Sequence, residues 1–327
     1  MTGFDYHRPT EVAAAVALVR GEPDAAYLAG GTTQLDLQLK DRVVAPTRLV
    51  DIARLPLRQL TRAPDRLTVG ALVTMETLAT AAEAPAVVRQ ALLAGASTQL
   101  RNLATIGGNL MQRTRCRYFR DPQVTSCNKR TPGSGCAAVT GVPRMHAILG
   151  AGPDCIALHA SDLCVALVAL EASVRVEGAD GTYTVAVRDL HVRPGQRPDI
   201  ETVLAHGDLI TAVDIPLPAA GTGSAYLKVR DRASYEFALT SAAAVLRLDG
   251  GVIAAAGLGL GGVGTVPWWS AEAETSLIGR EPTAETFRAA AELAVADPFT
   301  TPGTGFKVEL AKRTLVRALR TAAEEAR

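Results

Sequence analysis

Arg101-Asn102-Leu103-Ala104-Thr105-Ile106-Gly107-Gly108-Asn109-Leu110 is the stretch on which the reading of this chain turns. A glycine pair framed by Thr105 and Asn109 can lay bare backbone against an anionic ligand. Three of the five cysteines, Cys116, Cys127 and Cys136, follow within thirty residues. They stand in a polar stretch rich in glycine, proline and arginine, where cysteines pack no core. A cofactor-binding turn that runs into a metal-cluster loop points to a protein that moves electrons.

A second stretch, Leu28-Ala29-Gly30-Gly31-Thr32-Thr33-Gln34, has the same chemistry and precedes the first by about 75 residues. It sits between an expected strand and an expected helix. Glycine lets backbone amides approach a ligand. The helix N-terminus behind them favours a phosphate, and the threonines add hydroxyl donors. Alone it is a weak signal, better read as a plain strand–helix turn. Two such turns can grip the two phosphates of a dinucleotide. Ser161-Asp162 either adds a carboxylate for ribose or ribityl hydroxyls or simply caps a helix. Gly259-Leu260-Gly261-Gly262-Val263-Gly264 matches a dinucleotide fingerprint in letters only. That fingerprint must open a helix, and Thr265-Val266-Pro267-Trp268-Trp269 does not, so a strand end and loop are expected there.

The 327 residues suggest about two domains. With 48% hydrophobic and 20% charged residues the composition is globular. A net charge of +1 gives no reason to expect nucleic acid as partner. No apolar run approaches the ~18 residues of a membrane span. The start, Met1 to Pro9, lacks the apolar core of a signal peptide, so the chain is expected in the cytoplasm. An odd cysteine count in a reducing compartment favours metal or catalysis over a disulfide framework.

Periodicity predicts a helix from Thr10 to about Arg20, a strand at 26–29, a helix over 34–40, and strands at 49–52 and 67–71. Thr74 caps a helix, and another runs from about 85 to 94. Residues 112–155 lack periodicity, and an irregular stretch of that length inside a domain is usually functional. Ser161-Asp162 opens an apolar helix to Leu170. Strands follow at 173–177, 182–187 and 208–215, and a linker lies near 220. Strands at 225–230, 237–248 and 252–260 predict an antiparallel sheet, the last two joined by Asp249-Gly250-Gly251. Helices at about 270–279, 283–296 and 306–325 close the chain.

Cys116, Cys127, Cys136 and Cys155 are separated by ten, eight and eighteen residues, without the C-x-x-C pairs common in zinc sites. Arg113, Arg115, Arg117, Arg120, Lys129, Arg130 and Arg144 surround them. Positive charge and glycine amides suit an anionic iron–sulfur cluster. Spacing alone leaves iron–sulfur, zinc and unrelated thiols open. Cys164, in an apolar helix, reads as core.

Taken together, Ala29-Gly30-Gly31-Thr32 and Thr105-Ile106-Gly107-Gly108-Asn109 resemble the FAD subunit of the molybdenum hydroxylases, the group of xanthine dehydrogenase, aldehyde oxidoreductase and carbon monoxide dehydrogenase. The resemblance extends over Ser161-Asp162-Leu163, Asp208-Leu209-Ile210, Tyr226-Leu227-Lys228 and Gly261-Gly262-Val263 through Trp268. The cysteine loop, with Arg115-Cys116-Arg117-Tyr118-Phe119 and Cys127-Asn128-Lys129-Arg130, is similar to a smaller branch. That branch includes the periplasmic-type aldehyde oxidoreductases, whose FAD subunit holds an extra [4Fe–4S] cluster, and 4-hydroxybenzoyl-CoA reductases carry a comparable insertion. Where many relatives continue the first motif with Asp-Leu, this chain has Gln34-Leu35 after Thr33.

The resemblance implies an α+β fold. A two-lobed FAD-binding domain would occupy 1–220, with lobes about 1–55 and 56–220 and a cluster insertion at 112–155. A small domain of antiparallel sheet plus helices would occupy 221–327. It implies FAD held by Ala29, Gly30, Gly31, Thr32, Thr33, Gln34, Thr105, Gly107, Gly108, Asn109, Ser161, Asp162, Leu209, Ile210 and Lys228. It implies a [4Fe–4S] cluster on Cys116, Cys127, Cys136 and Cys155, and no general acid or base in this chain. The implied partners are a [2Fe–2S] small subunit, a molybdopterin-binding large subunit and an external electron acceptor. Export to the periplasm with a signal-bearing partner is compatible with this. Within the family a 4-hydroxybenzoyl-CoA-type reductase or xanthine dehydrogenase is the alternative. Outside it stand a lone FAD oxidase with structural zinc and a non-catalytic flavin or metal scaffold.

Overall fold

Three sheets organise the chain, and their strands follow the hydrophobic pattern of the sequence. The structure is a computed structural model that describes residues 3–327. Strands β1 (Asp5–His7), β2 (Ala25–Leu28) and β3 (Arg48–Asp51) form a parallel sheet in the order β1-β3-β2. The helix Val12–Arg20 lays Ala15, Val16 and Val19 on it.

The second sheet is antiparallel, in the order β4-β5-β8-β6-β7. Its strands are β4 (Leu60–Arg62), β5 (Arg66–Gly70), β6 (Ser173–Gly178), β7 (Gly181–Ala186) and β8 (Leu209–Pro216). Along β6, Val174 and Val176 alternate with half-buried polar residues, as one covered sheet face requires. Helices Ala86–Ala94 and Asp162–Ala169 share its core.

The third sheet is a meander of β9 (Thr222–Val229), β10 (Thr240–Asp249) and β11 (Val252–Gly261). Gly250 and Gly251 both have positive φ, at 57° and 86°, the backbone of a tight two-residue hairpin. Helices Ala271–Leu277, Ala284–Ala294 and Phe306–Glu325 contribute to the core on this sheet. Helix Asp162–Ala169 also rests on β11. A Cβ at Gly257 would lie 2.0 Å from the Ala169 carbonyl oxygen, and one at Gly259 would lie 2.2 Å from that of Val165. Gly259 of the fingerprint-like run therefore serves helix–strand contact, and after Gly264 the next helix begins only at Ala271.

The fold is α+β, as expected. Local differences have physical reasons. The helix expected over 34–40 is present, opening at Gln34 and Leu35 and winding as a π-helix over Asp36–Lys40. The strand expected from 237 begins at Thr240, because Phe237 turns outward to a cleft. The glycine turn at 105–109 is the first turn of a short helix, Ile106–Leu110, with the Thr105 side chain accepting from the Gly108 amide at 3.2 Å. Among the described residues no helix is long and apolar enough to cross a membrane.

Candidate functional site

Both glycine motifs line one cleft of about 1070 Å³, at the upper end of the ~300–1,000 Å³ typical of small-molecule sites. They meet through backbone. A Cβ at Gly30 would fall 1.9 Å from the Leu103 carbonyl oxygen, so only glycine lets the two segments close. Gly31 takes φ +72°, a left-handed value that favours glycine.

The motifs present different surfaces to the cleft. In the second, the amides from Ile106 to Asn109 are spent within the protein. Ile106 donates to the Val73 carbonyl at 2.9 Å, Gly107 to that of Ala71 at 2.8 Å and Asn109 to that of Thr105 at 2.8 Å. In the first, none of the described residues offers an acceptor to the amides of Gly31, Thr32 or Thr33. Those three N–H groups run into the segment that becomes helical at Gln34, which is the geometry that receives an anion.

Ala29, Gln34, Leu209 and Ile210 also line the cleft, as expected from sequence. Asp162 and Lys228 reach it as a pair, Nζ to Oδ2 at 2.8 Å, while Tyr226 donates its hydroxyl to Asp162 Oδ1 at 2.5 Å. The Asp162 carboxylate is thus largely committed to its neighbours, and burial with that contact drives the Tyr226 hydroxyl well above its ordinary value. Ser161 lies behind the wall. Its hydroxyl accepts from the Cys164 amide at 3.0 Å and donates to Asn109 Oδ1 at 2.5 Å. It caps its helix and fixes Asn109.

Sequence reasoning missed several cleft residues, among them Arg115, Arg232, Tyr235, Glu236 and Phe237. The Arg115 guanidinium stacks on the Phe237 ring at 5.3 Å, reaches Thr33 Oγ1 at 3.4 Å and pairs with Asp36 at 3.6 Å. Arg115 Nε and Glu236 Oε2 are buried with no partner among the described residues. Unsatisfied polar atoms beside free amides fit a large polar ligand such as FAD.

One residue on from Arg115, the cysteine site begins. Cys116, Cys127, Cys136 and Cys155 line one small cavity, and Cys164 does not. Cys127 and Cys136 face each other across an antiparallel bridge. Asn128 ties three segments: its amide donates to the Gly135 carbonyl at 2.7 Å, its Oδ1 accepts from the Gly135 amide at 2.8 Å, and its Nδ2 donates to the Asp154 carbonyl at 2.9 Å. The Arg130 guanidinium gathers the carbonyls of Tyr118, Phe119, Asp121 and Val124. The irregular stretch is therefore a stitched scaffold for its thiols.

Burial pushes the Cys116 thiol up to about 12 and that of Cys155 up to about 11. Such groups stay protonated until a metal displaces the proton. Among the described residues no three of these sulfurs come within 4.8 Å of one another. A tetrahedral zinc with Zn–S of about 2.3 Å requires spacings near 3.8 Å, which no three of these sulfurs present. His159, His191 and Cys164 do place ligand atoms within 4.8 Å. There, however, His191 Nε2 meets the Leu110 carbonyl and His159 Nδ1 accepts from the Ser161 amide, so the rings serve the scaffold.

The two sites are joined by a common core. Leu37, from the helix that follows the first glycine motif, packs with Phe119 and Cys127. Arg120 pairs with Asp41 at 2.7 Å across the same seam.

The family of FAD binding domains in molybdopterin dehydrogenase matches residues 2–218, and that of CO dehydrogenase flavoprotein C-terminal domains matches residues 225–322. The chain belongs to the molybdopterin dehydrogenase flavoproteins. It is similar to the aldehyde oxidoreductase FAD-binding subunit PaoB of Escherichia coli K12, 42% identical with 100% of both chains covered. To the carbon monoxide dehydrogenase medium chain of Afipia carboxidovorans it is 30% identical, covering 84% of this chain and 80% of that one. Among solved structures, the reconstituted CO dehydrogenase from Oligotropha carboxidovorans superposes with a TM-score of 0.78 at 28% identity, covering 99% of this chain and 100% of that one. The molybdopterin dehydrogenase flavoprotein described here is the FAD subunit of a molybdenum hydroxylase, and as such a subunit of an oxidoreductase.

Proposed function

We propose that this subunit carries FAD and one [4Fe–4S] cluster and passes electrons within an aldehyde-oxidising molybdenum hydroxylase. The observation that carries this reading is the convergence of Cys116, Cys127, Cys136 and Cys155 on one cavity, one residue from the Arg115 that walls the cleft. The first motif, Gly30 to Thr33, would hold the pyrophosphate with its free amides. Thr105 to Asn109 would shape the wall beside it. The Asp162–Lys228 pair would meet the cofactor as a neutralised unit, and Leu209 and Ile210 would exclude water. When bound, FAD supplies two-electron chemistry that can be divided into single steps, and an iron–sulfur cluster supplies one-electron storage. The protein's own task is to place these groups and set their potentials through hydrogen bonds and charge.

In this reading residues 1–220 form the FAD domain and 221–327 the smaller one. A [2Fe–2S] subunit and a molybdopterin subunit complete the enzyme, which gives electrons to an external acceptor. The aldehyde assignment rests on the 42% identity to PaoB over full length. The enzyme is cytoplasmic, or periplasmic if a signal-bearing partner carries it out.

Co-expression with the two partner chains tests this. The expected result is a co-purifying complex in which an aldehyde bleaches the flavin absorbance under anaerobic conditions. A lone chain that oxidises its own substrate, or a complex bleached by a xanthine and not by aldehydes, would replace the reading.

A further inference from the structure

Cys116 carries a contact of its own. Nε2 of His146 lies 3.1 Å from its Sγ, and His146 is only 3% exposed. The segment that bears the ring is held at both ends of its peptide unit. The His146 amide donates to the Pro143 carbonyl at 2.8 Å. Its carbonyl accepts from Nζ of Lys307 at 2.8 Å, and the same ammonium donates to the Gly262 carbonyl at 2.6 Å. Lys307 is wholly buried in the first turn of the closing helix Phe306–Glu325. The C-terminal helix thereby fixes where the imidazole stands.

Geometry also selects the tautomer. Nδ1 of His146 is buried without a partner among the described residues. With the proton on Nδ1, the Nε2 lone pair would oppose the sulfur lone pairs of a thiolate. With the proton on Nε2, the donor faces the sulfur and only an acceptor goes unmatched. The lone-pair clash at sulfur is the costlier arrangement.

We infer that His146 donates its Nε2–H to the Cys116 thiolate and thereby raises the reduction potential of the cluster held by the four cysteines. The inference rests on the cluster reading above. Four thiolates around an oxidised [4Fe–4S] core carry about −2 in total. Reduction adds one electron, taken from the titrant, and breaks no bond. Sulfur becomes more electron-rich, so an N–H donor stabilises the reduced form more than the oxidised one. In a buried site this difference is weakly screened. His146 is a positioning residue toward one ligand; it does not itself need to bind iron.

The test is potentiometry of the assembled enzyme with low-temperature EPR detection, on wild type, His146→Leu and His146→Gln. Iron and acid-labile sulfide are measured on each sample. Leu removes the donor, whereas the Gln amide nitrogen falls near the position of Nε2. The expected result is full iron in both variants, a midpoint for Leu lower by about tenfold in the redox ratio, which is about 59 mV for one electron, and recovery of most of that shift in Gln. Full iron in Leu with an unmoved midpoint overturns the inference. Wild type lacking the cluster iron overturns the cluster reading itself, a separate failure.

Should Leu lose its iron, ¹⁵N-histidine labelling of the wild type decides. The reduced cluster is expected to show a ¹⁵N hyperfine coupling that disappears in His146→Gln. No histidine coupling in wild type overturns the inference.

Discussion

Gly30-Gly31-Thr32-Thr33 and Thr105-Ile106-Gly107-Gly108-Asn109 line the same cleft, and their letters are nearly interchangeable. Their amides are not. The second motif spends its N–H groups on Val73, Ala71 and Thr105, while those of Gly31, Thr32 and Thr33, which line the cleft, have no acceptor among the described residues. On the proposed reading the first motif, through Gly31 to Thr33, is the cradle and the second is the wall beside it. The difference comes from what lies behind each. The second motif is pinned to the segment that follows β5, through an isolated bridge from Thr74 to Thr105. The first follows β2 and ends in a short helix buttressed by the cysteine loop. A glycine pair in sequence therefore indicates close backbone approach, but only its surroundings say whether a ligand or another chain segment makes that approach.

The largest effect is expected at Gly30→Ala, because the added Cβ meets the Leu103 carbonyl at 1.9 Å. Backbone cannot rotate away as a side chain can. A loss of about 3 kcal/mol or more is expected, seen as a large drop in melting temperature together with flavin-free protein. As a control, Gly133→Ala has open space around its Cβ and only its φ of +84° against it, so a cost of about 1 kcal/mol is expected. Equal melting temperatures for the two would remove the argument for motif contact.

Charge at the two motifs sharpens the contrast. Gly31→Asp and Gly108→Asp both bring a carboxylate toward the pyrophosphate and both should weaken FAD. The account expects about a hundredfold loss at Gly31, where free amides meet the anion, and about tenfold at Gly108. Flavin titration of apoprotein measures this. A larger loss at Gly108 would reverse the assignment of cradle and wall.

A smaller effect is expected at the seam. Arg115→Met keeps the stem but removes the contacts to Thr33 and Asp36. About tenfold weaker FAD binding is expected, the worth of one charged hydrogen bond. Retention of wild-type affinity would show the seam to be structural only.

The smallest effect concerns pH. Burial opposes ionisation of Glu201, but Lys129 and Arg113 outweigh it and hold its carboxyl below the ordinary value. A depressed carboxylate stabilises the fold above its unfolded pKa, and that stability is lost as pH falls through the folded one. Wild type should therefore lose stability below about pH 4.3 more steeply than Glu201→Gln, which is less stable at neutral pH. Parallel acid melting curves would contradict this.

Much of the fold was legible because it rests on local signals. Helix caps at Thr74 and Ser161, the alternation along β6 and the Gly250-Gly251 hairpin all act within a few residues. The site was legible in part. The two glycine motifs, Asp162, Lys228 and the four converging cysteines could be marked by residue type and family resemblance. The commitment of Asp162 to Lys228 and Tyr226, the unpartnered Glu236, the seam through Arg115 and Leu37, and the His146 contact to Cys116 could not. Each joins residues at least thirty positions apart or depends on which atoms lack partners, and neither periodicity nor spacing carries that information.

The central claim is that the cysteine cavity holds a cluster in its own right, beside the flavin. The most direct measurement is iron and sulfide per chain in anaerobically purified enzyme, compared with a Cys116→Ser, Cys136→Ser double variant and with Cys164→Ser. The account predicts that the double variant loses about four irons and about four sulfides, while Cys164→Ser keeps them. Unchanged iron in the double variant, or zinc in the wild-type site, would contradict it.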